Sequence, residues 1–286
     1  MLLMRLKTLT RIVTLLSAAA CAVAVTPQAA QAQTAPRVTF TPIAAPSSGA
    51  AAVVSQPASA GSYWEVIGGL EFDTDGMMYG FVGPQWNRPL NDNVKLTARA
   101  YANWLQYEFE ENGGTTEVSG PGISTQVGLK FGDRNTFKVG VGPSFKWRGE
   151  TFTDAAGNET EFDSDMDVGF SVGADADLNP TDRDNVHAIV NYETVDEYLW
   201  SRLAYKHQIT NYDWQDTWAH FVGAEGILQG NDDIRTIMLG ALAEFVHAPS
   251  RTSLMLRGGF KRSSFDTADD RSGPYFGINF YKRLGQ

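Results

Sequence analysis

The chain has 286 residues, of which 23 are basic and 33 acidic, so its formal net charge is −10. This balance disfavours a nucleic-acid-binding protein, which would present a basic surface to the phosphates. The single cysteine, Cys21, lies in the first tenth of the sequence, which excludes disulfides and cysteine-based zinc sites from the rest of the chain. No apolar run reaches the roughly 20 residues that a membrane-spanning helix requires.

Residues 1–32 have the features of a secretory signal peptide. Three basic residues in the first eleven positions precede an apolar stretch from Ile12 to Val25, and Ala30-Gln31-Ala32 fits the small-x-small pattern of a cleavage site. A lipoprotein site at Cys21 is the alternative, but the residues before it include no large aliphatic side chain. We therefore predict a bacterial envelope protein that is exported through a cleavable signal peptide.

Residues 33–62 differ sharply in composition from the rest of the chain. Ala, Pro and Ser dominate this segment, and Arg37 is its only charged residue. Such a composition buries too little apolar surface to offset the entropy of ordering the chain, so we predict a flexible linker. All 33 acidic residues and 32 of the 33 aromatic residues lie at or beyond Tyr63. The folded domain is therefore predicted to span residues 63–286.

From Tyr63 onward, apolar and polar residues alternate with a period of two, which is typical of β-strands. In residues 136–148 the odd positions carry Phe, Val, Pro and Trp, and the even positions carry Gly, Ser, Lys, Thr and Arg. Residues 123–131 alternate with the same parity, and in residues 94–102 and 165–178 the apolar residues occupy the even positions. These stretches exceed the usual 5–6 residues of a strand in a soluble sheet and reach the roughly 9–11 that cross a bilayer.

Two all-β folds fit this alternation: a soluble sandwich with long strands, and an antiparallel transmembrane β-barrel of the bacterial outer membrane. Aromatic residues at strand ends favour the barrel, because such barrels carry aromatic girdles at both membrane interfaces. These residues are Trp64, Trp86, Trp104, Trp147, Phe280 and Tyr281. A barrel must also close on itself, since unpaired backbone groups are costly in hydrocarbon.

Continuing the pattern along the chain predicts about twelve strands. They lie near 63–72, 77–88, 94–109, 121–131, 136–148, 165–178, 185–194, 198–209, 217–228, 234–246, 252–262 and 274–284. The turn at 194–197 is the least certain boundary, so barrels of 10 or 14 strands are the alternatives.

Connection lengths alternate between short turns and longer loops, with long loops predicted at 110–120, 149–164 and 263–273. Outer-membrane barrels have short periplasmic turns and longer external loops. With an even number of strands, both termini of the barrel domain are therefore expected in the periplasm.

The polar face of the predicted strands carries charges of both signs, which the barrel would turn toward its lumen. The basic ones lie on the third to fifth strands and the acidic ones on the sixth: Lys95, Arg99, Lys130, Lys138, Lys146 and Arg148, with Asp167, Asp175 and Asp177. Cross-strand pairs that neutralise one another are one interpretation, and a polarised pore is the other. We favour neutralisation because a twelve-stranded barrel is narrow. Gly142 shares the polar face, so a serine there is predicted to be tolerated.

No motif indicates a catalytic, cofactor or metal site, and none is predicted. The four histidines, His187, His207, His220 and His247, fall on separate predicted strands without metal-ligand spacing. Acidic pairs such as Asp73 with Asp75 and Asp163 with Asp165 and Asp167 lack the remainder of a calcium loop. Solvated acidic loops are the favoured interpretation of these pairs.

Three glycine- and aromatic-rich segments, Glu65–Phe72, Tyr79–Trp86 and Val139–Trp147, carry a resemblance to a known family. Over about residues 60–286 the sequence resembles the cellulose biosynthesis protein BcsS family, outer-membrane barrels of alphaproteobacteria that are associated with cellulose operons. The resemblance implies an accessory envelope role in making or exporting cellulose and no enzymatic activity. It also implies contact with outer-membrane lipids and lipopolysaccharide, and with the cellulose-synthesis machinery or its polysaccharide. No residue inherits a catalytic role from it.

Three functions from different classes are consistent with these observations. The first is a non-enzymatic accessory barrel for exopolysaccharide, and the second is a passive, porin-like channel for small anions or saccharides. The third is an outer-membrane lipid hydrolase, which is disfavoured because the sequence shows no Ser/His/acid set.

Overall fold

The computed structural model describes residues 40–42, 52–54, 61–74, 76–111, 113–163, 166–195, 197–210, 217–232, 234–265 and 270–284. The predicted signal peptide and most of the predicted linker lie outside these residues. Within the linker, β1 (Phe40–Pro42) pairs antiparallel with β2 (Ala52–Val54). No helix in the described ranges is long and apolar enough to span a membrane.

Twelve antiparallel strands form one closed barrel in the described part of the chain, which confirms the predicted fold class and strand number. They are β3 (Tyr63–Asp73), β4 (Met78–Asn91), β5 (Val94–Glu111), β6 (Gly114–Phe131), β7 (Thr136–Lys146), β10 (Asp167–Leu178), β11 (Asp184–Glu193), β12 (Tyr198–Gln208), β13 (Trp218–Gly230), β14 (Ile234–His247), β15 (Thr252–Phe265) and β16 (Arg271–Leu284). Pairing of β16 with β3 closes the ring. The uncertain turn at 194–197 does separate two strands, β11 and β12.

The connection between β5 and β6 differs from the prediction. A long acidic loop was expected at 110–120, but both strands are 18 residues long and continue almost to the turn. Thr115, Thr116 and Val118 are β-branched and favour extended backbone, and acidic side chains on strands that project into water need no burial.

The predicted loop at 149–164 also forms strands. Its residues make the hairpin β8 (Gly149–Thr153) and β9 (Glu159–Asp163), and β8 pairs with β6. We call this side of the barrel the extended end. The opposite side, which holds Tyr63 and Leu284, is the terminal end.

Alternation along each strand separates an apolar outer wall from a polar interior. On β7, Val141 is 53% exposed whereas Lys138 is 3% exposed. The same contrast recurs on β10, where Val168 and Phe170 are exposed and Ser171 is buried. An apolar outer band around a polar interior is the arrangement of a barrel in lipid.

The predicted aromatic girdle is wrong at Tyr281. Its neighbour Phe280 is exposed on the outer wall, but Tyr281 is only 1% exposed and packs inside the barrel. Adjacent residues of a strand point to opposite faces, so the two could not both belong to the girdle.

Gly142 corrects a second expectation. It lies on the interior face of β7, as predicted, but β6 crosses very close to it. A Cβ at this position would overlap the carbonyl oxygen of Thr125 and lie 2.8 Å from its carbonyl carbon. These are backbone atoms, which cannot rotate away, so the prediction that serine is tolerated is wrong.

Candidate functional site

The structure brings one basic and one acidic residue of the predicted lumen set into direct contact. Lys138 and Asp175 are register partners on β7 and β10, and Nζ of Lys138 lies 2.6 Å from Oδ2 of Asp175. Asp177, two residues along β10, is also buried and accepts a hydrogen bond from the side chain of Asn185 at 2.5 Å. Lys138 in addition donates to Gln85 at 3.2 Å.

Other members of the set lie nearer the two rims. Lys95 forms an ion pair with Asp133 at 3.1 Å at the terminal end, and its register partner Lys130 is buried. At the extended end, Lys146 pairs at 2.7 Å with Glu193 of β11.

Asp167 and Arg148 require corrections. Asp167 is the first residue of β10 at the rim, and its side chain is exposed to water, so it is not a buried lumen charge. Arg148 lies beyond the last residue of β7, where it lines a cleft at the extended end. Both residues lie at the extended rim, Asp167 where β10 begins and Arg148 two residues after β7 ends, so neither is enclosed deep in the lumen.

A central ion-pair network was missed by the sequence analysis. Glu225 of β13 accepts from Nε of Arg202 at 2.7 Å, from the hydroxyl of Tyr275 at 2.8 Å and from Arg257 at 3.4 Å. Arg257 also pairs with Glu71 of β3. The same period of two, applied to β12–β16, would have identified these residues as inward, but not their partners.

Below the extended end, the interior contains an apolar cluster of Ile67, Phe81, Tyr101 and Tyr281, all buried. Tyr79 packs against it, with its ring 5.9 Å from that of Phe81. The rings of Phe81 and Tyr101 meet edge to face at 6.4 Å. Tyr79, Phe81 and Tyr101 also line a space toward the extended end of the barrel.

That space is a cavity of ≈ 190 Å³, which we call the mouth cleft. Its aromatic lining consists of Tyr79, Phe81, Tyr101, Tyr107, Tyr198 and Trp200, with Trp147 beside the entrance. Its charged lining consists of Glu71, Arg99, Lys146, Arg148, Glu193 and Arg257. The extensions of β5 and β6 form one wall of the cleft, so the strands that replace the predicted loop at 110–120 also create the cleft.

A polar network lies on one side of the cleft. Arg99 donates to Oε1 of Gln126, whose amide nitrogen donates to Asn191 at 3.0 Å and to Ser171 at 2.5 Å. A Cβ at Gly173 would lie 2.6 Å from Nη2 of Arg99, so the missing side chain makes room for the guanidinium. Nη1 of Arg99 is buried without a hydrogen-bond partner among the described residues.

The histidines lie away from this cleft. His187 is buried inside the barrel. The other three have partners near strand ends: His207 contacts Asp184 at 2.8 Å, His220 contacts Thr210 at 2.9 Å, and His247 contacts Ser250 at 2.7 Å. In the described ranges, no group of three or more His, Cys, Asp or Glu residues is arranged to hold a metal ion. Asp75 and Asp165, from the predicted acidic pairs, lie outside those ranges.

A family profile, cellulose biosynthesis protein BcsS, matches residues 50–284, which is most of the chain. The chain belongs to this family. The match begins about ten residues before the region in which the sequence was found to resemble the family. Association with cellulose biosynthesis therefore holds for this BcsS-family barrel at the level of the family.

Solved structures show the same fold at very low sequence identity. An outer membrane channel from Pseudomonas putida F1 is 10% identical, with a TM-score of 0.51 over 80% of this chain and 100% of that chain. The β domain of the Bordetella autotransporter BrkA is 9% identical, with a TM-score of 0.48 over 78% of this chain and 99% of that one. No curated protein matches the sequence. The barrel is an outer-membrane fold.

Proposed function

We propose that this chain is a non-enzymatic outer-membrane accessory of cellulose biosynthesis, with a sealed lumen that does not carry the polymer. One observation carries the proposal: the ion pairs that fill the interior. In the pairs of Lys138 with Asp175, Lys206 with Glu244, and Arg202 with Glu225, every side chain is 4% exposed or less. A polysaccharide crossing the lumen would have to separate them, and leaving one partner of a buried pair alone costs about 3–5 kcal/mol.

The residues of the mouth cleft support binding over catalysis. Acid–base catalysis requires a group that is positioned to exchange a proton with the substrate. The two carboxylates of the cleft, Glu71 and Glu193, are both engaged by cations, Arg257 and Lys146. Each of the four histidines, all within the described chain, lies elsewhere.

The lengths of the connections between strands indicate how the barrel is oriented in the membrane. Short turns are periplasmic in outer-membrane barrels, and longer segments are external. The terminal end has short turns such as 92–93 and 132–135, whereas the extended end carries the β5–β6 extension and the β8–β9 hairpin. We therefore place the terminal end in the periplasm and the mouth cleft at the cell surface.

Conductance across planar lipid bilayers tests the sealed lumen. We expect folded wild-type protein, identified by its heat-modifiable migration on a gel, to give no steady conductance above that of the lipid. Changing Lys138, Lys146 and Arg148 together to Glu should destabilise the barrel, because it sets like charges beside Asp175 and Glu193. A stable, anion-selective wild-type conductance that the triple change inverts would establish the porin-like channel instead.

A gene deletion tests the accessory role separately. Cellulose at the cell surface should fall when the gene is removed and recover when it is restored, while glucan synthesis by isolated inner membranes stays unchanged. Unchanged surface cellulose in the deletion strain would contradict the proposed role.

A further inference from the structure

We propose that the mouth cleft is a binding site for an uncharged saccharide and seats one sugar ring against its aromatic wall. Mouths of β-barrels are frequent ligand sites, typically lined by apolar and aromatic groups with a few polar groups that fix orientation. The cavity of ≈ 190 Å³ is suited to a single ring and is open at the extended end. Either a free sugar or the end of a longer glycan chain can therefore enter the cavity.

The aromatic lining matches the faces of a sugar ring. A pyranose exposes C–H groups above and below its plane, which pack on the electron-rich faces of aromatic rings. Tyr79, Phe81 and Tyr101 form a continuous aromatic surface, because the first two stack and the last two meet edge to face. Tyr198, on β12, lines the same cavity, with Nζ of Lys146 5.7 Å from its ring centroid.

The polar lining matches the hydroxyl groups at the rim of such a ring. A hydroxyl both donates and accepts hydrogen bonds. The ion pair of Lys146 and Glu193 offers a donor and an acceptor side by side, and it is only partly buried, with side chains 23% and 12% exposed. Arg99, whose buried Nη1 has no hydrogen-bond partner among the described residues, lines the same cavity.

Two other ligand classes fit the cleft less well. A purely apolar ligand would remove the partly exposed ion pair of Lys146 and Glu193 from water without giving it a hydrogen-bond partner, which is unfavourable. An anion could contact Arg99 and Arg148, but it would also lie beside the carboxylates of Glu71 and Glu193, which pair with Arg257 and Lys146. A neutral polyhydroxyl compound satisfies both signs of charge at once.

The proposal rests on the non-catalytic role proposed for the cleft, and binding of cellotetraose to the full, purified protein in a sugar-free detergent tests it. We expect a saturable change in intrinsic fluorescence, with the ligand recovered intact. Tyr198→Ala should weaken binding about tenfold, as loss of an aromatic contact together with its buried area implies. Tyr198→Phe keeps the ring and should bind like the wild type.

Two further variants keep the test decisive if Tyr198→Ala folds poorly. Lys146→Met, on another strand, should also weaken binding, because it removes the donor of the ion pair. Trp218→Ala is the matched control: this exposed residue begins β13 at the terminal end and should leave affinity unchanged. Heat-modifiable migration checks that each variant is folded.

Three results would overturn the saccharide site. They are an absence of saturable binding by the folded wild type, equal affinity in the Trp218→Ala and cleft variants, and tighter binding of glucuronate or of an aromatic hydrocarbon than of cellotetraose. If the purified protein binds cellotetraose as expected but deletion of its gene leaves surface cellulose unchanged, the saccharide site stands and the accessory role is rejected. Cleavage of cellotetraose would reject the non-catalytic role.

Discussion

The interior of the terminal half and the mouth cleft are built on the same alternating strands, yet one is filled and the other is hollow. In the terminal half, side chains such as Lys138 and Lys206 pair with carboxylates on the next strand or the next but one and fill the interior. In the extended half, rings such as Tyr198 and Trp200 stay partly exposed along the wall. Alternation decides which residues point inward, but the length and charge of those residues decide whether the lumen is filled.

The largest effect should come from breaking the buried ion pair of the terminal half, and breaking the ion pair of the mouth cleft provides the comparison. Lys138→Met leaves Asp175 buried without its cation, and we expect a loss of about 3–5 kcal/mol in the free energy of unfolding. Lys146→Met leaves Glu193 within reach of water, so the loss should be about 1 kcal/mol or less. Urea unfolding in lipid vesicles measures both.

A double variant sharpens this comparison. Combining Lys138→Met with Asp175→Leu removes both charges and should recover most of the lost stability, since an apolar pair can replace a buried ion pair. Equal losses for Lys138→Met and Lys146→Met would show that the two halves do not differ in water access.

The outer wall should respond to depth in the membrane and not to the contents of the lumen. Val141→Arg places a charge on the lipid-facing side near the middle of β7, and we expect a cost of about 2–4 kcal/mol. Leu90→Arg makes the same kind of change on an exposed residue near the turn at the terminal end, where the cost falls to about 0–1 kcal/mol. Yields of folded barrel in vesicles report the difference, and equal yields would mean that the lipid-facing side is misassigned.

The smallest effect should come from the β8–β9 hairpin, which lies beyond the barrel wall. Asp154 accepts hydrogen bonds from the backbone N–H groups of Ala156 and Asn158 and from the side chain of Asn158, each at 2.8 Å. The pKa of Asp154 lies below its usual range, and the hydrogen bonds from Asn158 are the main cause. Asp154→Ala should speed proteolysis of the 154–158 turn and leave the unfolding of the barrel unchanged.

The stability of this turn should decrease at acid pH. Because the pKa of Asp154 is lowered in the folded state, its contribution is complete above the ordinary carboxyl pKa of about 3.9 and is lost as the pH falls below that value. An acid-active protease should therefore cut the wild-type turn faster as the pH drops below this range. The rate in Asp154→Ala should not show the same dependence, and a parallel rise in both proteins would contradict the assignment.

Some features of the interior could be predicted from the sequence, and others could not. Lys138 and Asp175 were both assigned to the polar face, and their strands are adjacent in the barrel. Glu71 and Arg257 were missed, although they too obey the period of two; one lies on β3 and the other on β15, and they meet over Gly277 of β16, the strand between them. Tyr101 lies at an odd position of residues 94–102, on the polar side of that alternation, and the structure shows that it lines the mouth cleft.

The sequence by itself determined the fold class, the number of strands and the face that each strand turns outward. It could do so because a chain in lipid must pair every backbone group and must alternate its side chains between hydrocarbon and lumen. Only the tertiary structure decided which charges meet, where the lumen is hollow, and that β6 leaves no space for a side chain at Gly142. Those outcomes depend on the tilt, stagger and diameter of the closed barrel, which bring together residues far apart in the chain and leave no local trace in the sequence.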